Sequence, residues 1–275
     1  MMRMPKVFII VLNWNGYSDT VGCLRSLRKL SYPLYEIVVV DNGSTDGSVS
    51  RLRPEFNDIM FIENKENLGF AGGNNAGMRY AMEKGADYIL LLNNDVLVDP
   101  HFLDTLVQAG EKDEHIGILG PKIYCYPETM KLWQCGLGGN INWKKGITMN
   151  RGFRAIRKGQ WDVLSDVDYV TGCALLVKKE VIEKIGVLDE RYYLYYEEID
   201  FCVRAGRAGF KTVFVPDSVI WHKVGASAGG YDAPMQLYYT TRNRLLFMKT
   251  YIEKRDWRRF LLYFWCDGMF KRGIM

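Results

Sequence analysis

Through the first third of the chain, short and mainly apolar runs alternate with segments of helical periodicity, and this alternation constrains the fold more than any other feature. The apolar runs cover residues 7–12, 36–40, 59–62 and 88–92. Such runs are typical of strands buried on both faces of a parallel sheet. The clearest helical segment covers residues 74–84. The alternation therefore predicts an α/β fold, with a mostly parallel central sheet flanked by helices.

Length and composition are those of an ordinary globular chain. The 275 residues, 48% of them hydrophobic, suffice for one large α/β domain or two small ones. The net charge of +4 is too small to indicate nucleic acid, although a weakly basic surface suits phosphorylated substrates or anionic lipids. The six cysteines lack a C-x-x-C pair, which predicts reduced cytosolic thiols and no zinc site. The run at 7–12 is too short for a signal peptide or membrane span.

The second half has a different pattern. Residues 121–166 are rich in Gly, Trp and Lys without clear periodicity, which predicts irregular strands and a mobile loop around 144–158. A strand, two helices and another strand are predicted at 168–177, 179–185, 197–208 and 211–215. The tail at 236–275 mixes basic and aromatic residues and is predicted to be helical. It would either lie on a membrane surface or pack on its own domain, and the sequence leaves both open.

Polar residues follow three of the predicted strands at the point where each strand ends. They are Asn13-Trp14-Asn15, Asp41-Asn42 and Asn93-Asn94-Asp95. Binding sites of parallel α/β sheets lie beyond the carboxyl ends of the strands, so these clusters are expected to converge. A carboxylate such as Asp95, with amide neighbours, suits Mg²⁺ or Mn²⁺, which prefer oxygen ligands. Alone, each cluster is also compatible with a polar turn.

Residues 67–77 form a glycine-rich segment that leads into the helix predicted at 74–84. Glycines allow a backbone to approach a ligand closely, and the first turn of a helix can face an anion. The segment matches neither the dinucleotide-binding pattern nor the P-loop pattern. It therefore indicates a ligand-binding corner of another kind, with a plain glycine-rich connection as the alternative.

Three carboxylates crowd the first turn of the helix predicted at 197–208, namely Glu197, Glu198 and Asp200. The helix dipole favours acidic residues there, so helix stability alone also explains them. Two adjacent glutamates after a run of tyrosines nevertheless indicate a cleft wall, and a carboxylate kept ionised by the dipole can act as a general base. His222 becomes a metal-ligand candidate only in the company of the other clusters.

Seven segments in this order resemble the family 2 inverting glycosyltransferases, which have the GT-A fold, and within them a rhamnosyltransferase-like branch. The segments are VFIIVLNWNG, VVVDNGSTDGS, NKENLGFAGGNNAGM, YILLLNNDV, VTGCALLVKKEVIEKIGVLDE, YYEEIDFCVRAGRAGF and YYTTRNRLLF. The resemblance covers about residues 7–247. Each segment is moderately specific by itself, whereas all seven in order are highly specific.

The resemblance implies a set of residues that bind the sugar donor. These are Asn13, Trp14, Asn15, Asp41, Asn67, Gly69, Asn74, Asn75, Asn93 and Asn94. The first three would line the pocket for the nucleotide base, and Asp41 would bind the base. Asn93 stands where an aspartate is common in the family, so the sequence departs from the family motif there.

The resemblance also implies the reacting groups. Asp95 and His222 would hold a divalent metal, Mg²⁺ or Mn²⁺, at the donor diphosphate. Glu198 would be the catalytic base, with Glu197 as the second choice. The acceptor side would contain Gly172, Cys173 and Asp200.

The implied activity is transfer of a sugar, with rhamnose favoured, from a dTDP- or UDP-sugar to a hydroxyl of a glycan or lipid-linked glycan in cell-wall polysaccharide biosynthesis. The implied catalytic domain covers 1–235, with a nucleotide-sugar half at 1–120 and an acceptor half at 121–235, followed by the tail. The expected location is the cytoplasm, at the inner face of the membrane if the tail binds lipid. No nucleic acid is expected as a partner.

Two alternatives remain open from the residues alone. A sugar nucleotidyltransferase would need a Gly-rich loop with Arg or Lys after the first strand, where this chain has Asn13-Trp14-Asn15-Gly16. A non-catalytic carbohydrate- or nucleotide-binding module would not need Asp95 or the paired glutamates. An NAD-dependent enzyme is disfavoured because the first strand lacks the glycine fingerprint.

Overall fold

The protein is described by a computed structural model that covers residues 3–126, 138–151, 159, 161–223 and 234–271. Its strands are β1 (Val7–Asn13), β2 (Tyr35–Asp41), β3 (Met60–Glu63), β4 (Tyr88–Asn93), β5 (Val96–Val98), β6 (Ile116–Cys125), β7 (Gly139–Asn142), β8 (Ile147–Asn150), β9 (Ser165–Asp166), β10 (Ala174–Lys178) and β11 (Lys211–His222). Its helices are α1 (Tyr17–Leu27), α2 (Ser48–Glu55), α3 (Gly69–Glu83), α4 (Phe102–Gly110), α5 (Lys179–Ile185), α6 (Glu197–Arg207), α7 (Pro234–Tyr251) and α8 (Lys254–Lys271).

A single large sheet forms the centre of the molecule, in the order β3-β2-β1-β4-β10-β6-β11-β5, with β9 added beside β11. The strands β3, β2, β1 and β4 are parallel to one another. β10 runs antiparallel to both β4 and β6, and β6 and β11 are parallel. Most strands therefore point in one direction, and the predicted α/β class with a mostly parallel sheet flanked by helices is confirmed.

The first four apolar runs form strands because they are apolar on both faces. Residues 7–11 of β1 are fully buried, and so are residues 38–40 of β2. Helices cover both faces, so continuous burial replaces the alternation expected of a half-exposed strand. The carboxyl ends of β1, β2 and β4 therefore meet at one edge, as predicted.

The second half differs from the prediction in its strand bounds. β6 was not predicted, and the strand expected at 168–177 begins only at Ala174. The strand expected at 211–215 extends to His222, with a register irregularity between Val215 and Val219. This extension pairs His222 with Val96, one residue after Asp95. A longer β11 thus brings His222 to the predicted site.

The glycine-rich segment belongs to a helix, which corrects the predicted start at Asn74. α3 begins at Gly69, and two of its four glycines, Gly73 and Gly77, face the sheet. A Cβ atom at Gly73 would lie 2.5 Å from Leu12 Cδ1, and one at Gly77 would lie 2.5 Å from Ile10 Cγ2. These two glycines therefore serve close packing of α3 on β1, and not the close approach to a ligand that the sequence suggested.

The segment predicted to be a mobile loop is partly regular. Residues 144–146 form a turn, and 147–150 form β8, which pairs with β7. Residues 152–158 lie outside the described part of the chain. The irregular character predicted for 121–166 therefore holds only in part.

The tail packs on the domain through one face and is open on the other. Phe247 and Met248 of α7 are fully buried in the same cluster as the sheet, and Phe260 of α8 joins them. Leu262 and Trp265 remain 69% and 65% exposed. Among the described helices, none has the length and apolar character needed to cross a membrane. The boundary at residue 235 stays a prediction.

Candidate active site

A hydrogen-bonded network of buried side chains joins the ends of β1, β2 and β4. Asn13 Nδ2 donates to Asp41 Oδ1 at 2.7 Å, and Asn13 Oδ1 accepts from Thr20 Oγ1 at 2.8 Å. Asn94 Nδ2 donates to Thr20 Oγ1 at 2.9 Å, and the Ser44 N–H donates to Asp41 Oδ2 at 2.9 Å. Buried polar groups are costly unless they are bonded in this way. The network therefore builds a rigid wall at the predicted donor side.

The rim of this wall is formed by Trp14 and Asn15. Asn15 has φ 50° and accepts from the Thr45 N–H at 2.8 Å through Oδ1, which ties the rim to the segment after β2. Trp14 is 41% exposed, so its ring face is open to a planar ligand. Their role in a base pocket stays a prediction that this geometry suits.

Asn42 organises the corner between β2 and α3. Its Nδ2 donates to Asn67 Oδ1 at 2.9 Å and to the Gly69 carbonyl at 3.0 Å. Gly69 has left-handed backbone geometry, with φ 72°, and a Cβ atom there would lie 2.5 Å from the Tyr193 carbonyl oxygen. Only glycine fits this contact. Asn42 carried no predicted role, although it belongs to one of the recognised segments.

The two asparagines of α3 have different surroundings. Asn74 Nδ2 donates to the Phe70 carbonyl at 2.9 Å, while its buried Oδ1 accepts no hydrogen bond within the described structure. Asn75 donates to the Leu188 carbonyl and to Glu190 Oε1, each at 2.9 Å, and accepts from the Leu188 N–H at 3.0 Å. Asn75 has the contacts of a structural side chain, so its donor role stays a prediction.

Asp95 and His222 meet at the edge of the sheet. Asp95 Oδ1 lies 3.1 Å from His222 Nε2, and each side chain is less than a tenth exposed. Asp95 Oδ1 receives no hydrogen bond from the described residues. Two ligands of an octahedral Mg²⁺ that are both about 2.1 Å from the ion and at right angles are about 3.0 Å apart. The pair therefore fits a divalent cation.

The rest of the cation's ligands would have to come from elsewhere. Among the residues that the structure describes, no group of three or more His, Cys, Asp or Glu side chains is arranged to hold a metal ion. Mg²⁺ commonly takes one or two protein carboxylates and completes its shell with water and substrate phosphates. The Asn94 amide faces the buried network, and the Asn93 N–H donates to the Cys173 carbonyl at 3.0 Å. Asp95 and His222 therefore remain the predicted protein ligands of the cation.

The paired glutamates follow a strained turn, residues 192–196, which we call the tyrosine loop. Tyr193, Tyr195 and Tyr196 have φ values of 66°, 68° and 76°. Left-handed backbone costs a residue other than glycine about 1–3 kcal/mol and persists only where the surroundings enforce it. The turn ends at Tyr196, the residue that precedes α6, so Glu197 and Glu198 occupy the first turn of that helix.

Burial sets the protonation of both glutamates. Glu197 is 3% exposed, and the Oε2 atoms of both residues are buried without a hydrogen-bond partner in the described structure. Burial raises the pKa of Glu198 to about 7, although backbone N–H groups of the first turn oppose the shift. Burial, and then the Glu198 charge, raise the pKa of Glu197 well above its ordinary value. The first turn of the helix was predicted to favour the ionised form of Glu198; its N–H groups do lower the pKa, but desolvation outweighs them and the net shift is upward.

Gly172 and Cys173 connect the cation pair with the glutamates. A Cβ atom at Gly172 would lie 3.5 Å from Glu198 Cβ, and the Cys173 carbonyl accepts from the Asn93 N–H at 3.0 Å. Gly172 also faces Phe70, 3.1 Å away by the same measure. The predicted acceptor-side pair thus lies between the end of β4 and the start of α6.

Asp200 has the contacts of a structural residue. It is 2% exposed, and its carboxylate accepts from Arg204 Nε at 2.7 Å and from the Tyr251 hydroxyl at 2.5 Å. The Tyr192 hydroxyl is a further donor at 3.3 Å. These bonds tie α6 to the tyrosine loop and to α7. An acceptor-side role for Asp200 stays a prediction that these contacts do not favour.

Known proteins resemble this chain over most of its length. The model of glycosyl transferase family 2 matches residues 8–186. The hexosyltransferase Agl10 of low-salt glycan biosynthesis in Haloferax volcanii is 28% identical over 91% of this chain and 78% of its own length. An N-acetylglucosaminyl-diphospho-decaprenol L-rhamnosyltransferase of Mycobacterium tuberculosis is 26% identical over 75% and 72%. The dTDP-rhamnosyl transferase RfbF of Shigella flexneri is 26% identical over 89% and 80%.

A solved structure extends the likeness in fold beyond the family match. The mannosyltransferase PcManGT of Pyrobaculum calidifontis, in complex with GDP-Man and Mn²⁺, superposes with a TM-score of 0.65. The match covers 94% of this chain and 69% of that one at 16% sequence identity. Identity at this level supports a shared fold alone.

Proposed function

The chain belongs to glycosyltransferase family 2, and from this premise we propose that it transfers a hexose, with rhamnose favoured, from a dTDP- or UDP-sugar to a hydroxyl of a glycan or lipid-linked glycan. The observation that carries the proposal is the single edge at which the Asp95–His222 pair and Glu198 are joined through Gly172 and Cys173. The names of the relatives from Mycobacterium and Shigella support rhamnose, and the former supports a lipid-linked acceptor. Family membership favours glycosyl transfer over the nucleotidyltransferase and binding-module alternatives.

Asp95 and His222 are the residues that would hold a divalent cation, Mg²⁺ or Mn²⁺. Their 3.1 Å separation supports this role, as does the Mn²⁺ in the complex of the mannosyltransferase. Such a cation supplies positive charge that neutralises the departing nucleoside diphosphate.

Glu198 acts as the base in the proposed reaction. The acceptor hydroxyl oxygen forms a bond to the anomeric carbon while the bond from that carbon to the diphosphate oxygen breaks, which inverts the configuration. The hydroxyl proton passes to the Glu198 carboxylate. Glu198 is partly buried and neighbours Gly172, whereas Glu197 is almost wholly buried, which supports Glu198 as the group that meets the acceptor.

The donor nucleotide is proposed to bind against the network of Asn13 and Asp41, with its base near Trp14. Both Asp41 oxygens already accept hydrogen bonds, and each keeps a lone pair that can accept from a base N–H. A wall that is rigid before the ligand arrives reduces the entropy lost on binding.

Thermal unfolding against a panel of nucleotide sugars tests the function. We expect dTDP-rhamnose or a UDP-sugar to raise the melting temperature with Mn²⁺ and much less with EDTA, since a ligand at 100 times its Kd stabilises the folded state by about 2.7 kcal/mol. Asp95→Ala should abolish the metal-dependent part. Asp217→Ala, which changes an exposed carboxylate of β11, is the matched control. An Asp95→Ala protein with the full metal-dependent shift would remove Asp95 from the site.

The open face of α8 is proposed to contact the headgroups of the membrane that carries the acceptor. This α8 face consists of Arg258, Leu261, Leu262 and Trp265, and the three apolar members are 38%, 69% and 65% exposed. Exposed apolar residues beside a basic residue are typical of helices that lie in an anionic membrane surface. The location at the inner face of the cell membrane rests on this proposal.

Sedimentation with vesicles tests the α8 face. We expect binding to vesicles of phosphatidylcholine mixed with phosphatidylglycerol and weaker binding to phosphatidylcholine alone. Leu262→Glu should weaken it, and Val163→Glu, at a residue 72% exposed elsewhere, should not. Equal effects of the two substitutions would argue against this face as the contact.

A further inference from the structure

One side chain of α7 contacts most of the backbone of the tyrosine loop. Asn243 is fully buried, and its Nδ2 lies 2.9, 2.8 and 2.6 Å from the carbonyl oxygens of Tyr192, Leu194 and Tyr195. These carbonyls are 48 to 51 positions earlier in the chain. A single amide thus joins the loop before the glutamates to a helix near the C-terminal end of the described chain.

The orientation of the Asn243 amide is fixed by its surroundings. Arg242 Nε donates to Asn243 Oδ1 at 2.9 Å, so the oxygen of the amide is satisfied on one side. The two hydrogens on Nδ2 are shared among three carbonyl oxygens. A flipped amide would set its oxygen against all three carbonyls. Arg242 Nη2 adds bonds to the Arg191 and Tyr192 carbonyls at 2.6 and 2.7 Å.

The loop needs such support because its backbone is strained. Three of its residues are left-handed, and such conformations persist only where neighbouring groups enforce them. Rings of α7 add contacts, since Tyr239 stacks on Tyr193 with centroids 5.0 Å apart and Phe247 lies 5.7 Å from Tyr196. The carbonyls that Asn243 binds lie on either side of Tyr193 and directly before Tyr196. Without its two hydrogens, the Leu194 and Tyr195 carbonyls would lose these bonds, whereas the Tyr192 carbonyl would keep those from Arg242 Nη2 and the Leu194 N–H.

We propose that Asn243 is a positioning residue for the reaction: it holds the tyrosine loop in the conformation that places Glu198 beside Gly172. This inference rests on the proposed role of Glu198 as base. Asn243 itself contacts only the loop backbone and Arg242 among the bonds described, so its effect on transfer is exerted through Glu198.

Hydrogen exchange tests the contact without any substrate. In Asn243→Ala and in the isosteric Asn243→Asp, amides of residues 192–198 should exchange faster than in the wild type, with the sheet unchanged. Ser218→Ala is the matched control, because Ser218 is equally buried and donates one bond to the Phe102 carbonyl. Arg242→Ala keeps the Asn243 donor and should give a smaller local effect if the other variants fold poorly. Unchanged exchange of 192–198 in all three variants would overturn the inference.

A double-mutant cycle tests the link to Glu198. Asn243→Ala should lower kcat by about 10²-fold, the order of effect of a displaced catalytic group, while the donor Kd from calorimetry stays within about twofold. In a Glu198→Gln background the same substitution should cost little further turnover, because the group that it positions is already lost. Full additivity would overturn the inference. If the wild type transfers no sugar, the proposed function fails, whereas the exchange result stands by itself.

Discussion

At the ends of β1, β2 and β4 the buried Asn13, Asp41 and Asn94 side chains belong to one hydrogen-bonded network, whereas at the start of α6 one oxygen of each paired glutamate is buried without a hydrogen-bond partner in the described structure. Asn13 and Asp41 satisfy each other and their neighbours. The Oε2 atoms of Glu197 and Glu198 accept no hydrogen bond in the described structure, and the loop before them is left-handed at three residues.

The contrast separates two requirements of one site. A surface that only binds can be completed during folding, so its polar groups contribute to stability. A group that must exchange a proton has to keep an unsatisfied atom and a shifted pKa, and the fold must compensate for both. We therefore expect substitutions on the donor side to lower stability, and substitutions on the reacting side to lower turnover with stability kept.

The largest effect should come from Glu198→Gln. We expect turnover to fall about 10²–10⁴-fold, which is the usual contribution of a general base, with donor affinity unchanged. Melting temperature should stay the same or rise, because a buried carboxylate with one oxygen that lacks a hydrogen-bond partner in the described structure is replaced by a neutral amide. Steady-state kinetics and calorimetry measure these quantities.

Glu197→Gln is the matched control for that experiment. It should reduce turnover much less, since Glu197 is only 3% exposed, whereas Glu198 is partly exposed. The reverse ranking would transfer the role of base to Glu197 and break the comparison at its reacting side.

Asn13→Ala should act in the opposite way, on stability first. The substitution leaves a hydrogen-bond site of Asp41 and one of Thr20 unfilled inside a buried network, at a cost of about 1–3 kcal/mol. Urea denaturation measures this change, and donor affinity should weaken with it. The exposed Asn57→Ala should stay within about 0.5 kcal/mol of the wild type. Equal stability of the two variants would mean that the network is not the rigid wall described.

Two glycine substitutions, one in α3 and one in α6, compare how tightly the donor side and the reacting side are packed. Gly77→Ala should destabilise by about 1–3 kcal/mol, because the new methyl would lie 2.5 Å from Ile10 Cγ2 between α3 and β1. Gly206→Ala in α6 meets open space and should stabilise by about 0.5–1 kcal/mol through helix propensity. Denaturation of both variants checks the signs, and a destabilised Gly206→Ala would show that α6 is packed as tightly as α3.

The pH dependence should be the mildest signature. With the pKa of Glu198 near 7, turnover should rise about tenfold from pH 6 to pH 8 as the base ionises. Both glutamates have pKa values raised by folding, so their contribution to stability is greatest at low pH and declines as pH rises; the contribution of Glu198 is lost as pH rises through 7. Glu198→Gln should flatten that loss. A rate that is level from pH 6 to 8 would contradict the shift.

The sequence predicted the parallel half well because there one pattern decides. Short runs that are apolar on both faces favour buried strands. In a parallel sheet the carboxyl ends of such strands lie at one edge. β6 was missed because it contains Gly117, Gly120 and Pro121, which read as loop residues. In the structure Gly120 leaves room for Val170, since a Cβ atom there would lie 2.5 Å from Val170 Cγ1. Only the packed neighbour explains that glycine.

Candidate site residues divide in the same way. Asp95 and His222 were predicted together from the resemblance, and the extended β11 brings them into contact. The burial that shifts the pKa of Glu198 depends on residues far away in sequence, so local helix electrostatics alone did not predict the upward shift. Asn243 had no predicted role for the same reason, since its partners are set by how α7 packs on the domain.

The bonds between Asn243 and the tyrosine loop have a consequence for engineering. A chimera that takes the stretch from Tyr192 to Arg207 from a relative with a different acceptor would meet a foreign α7, and its carbonyls would face the wrong side chains. The two stretches form one exchangeable module although about fifty positions separate them. Grafts that move both stretches should retain activity, and grafts that move either stretch alone should yield folded but inactive proteins.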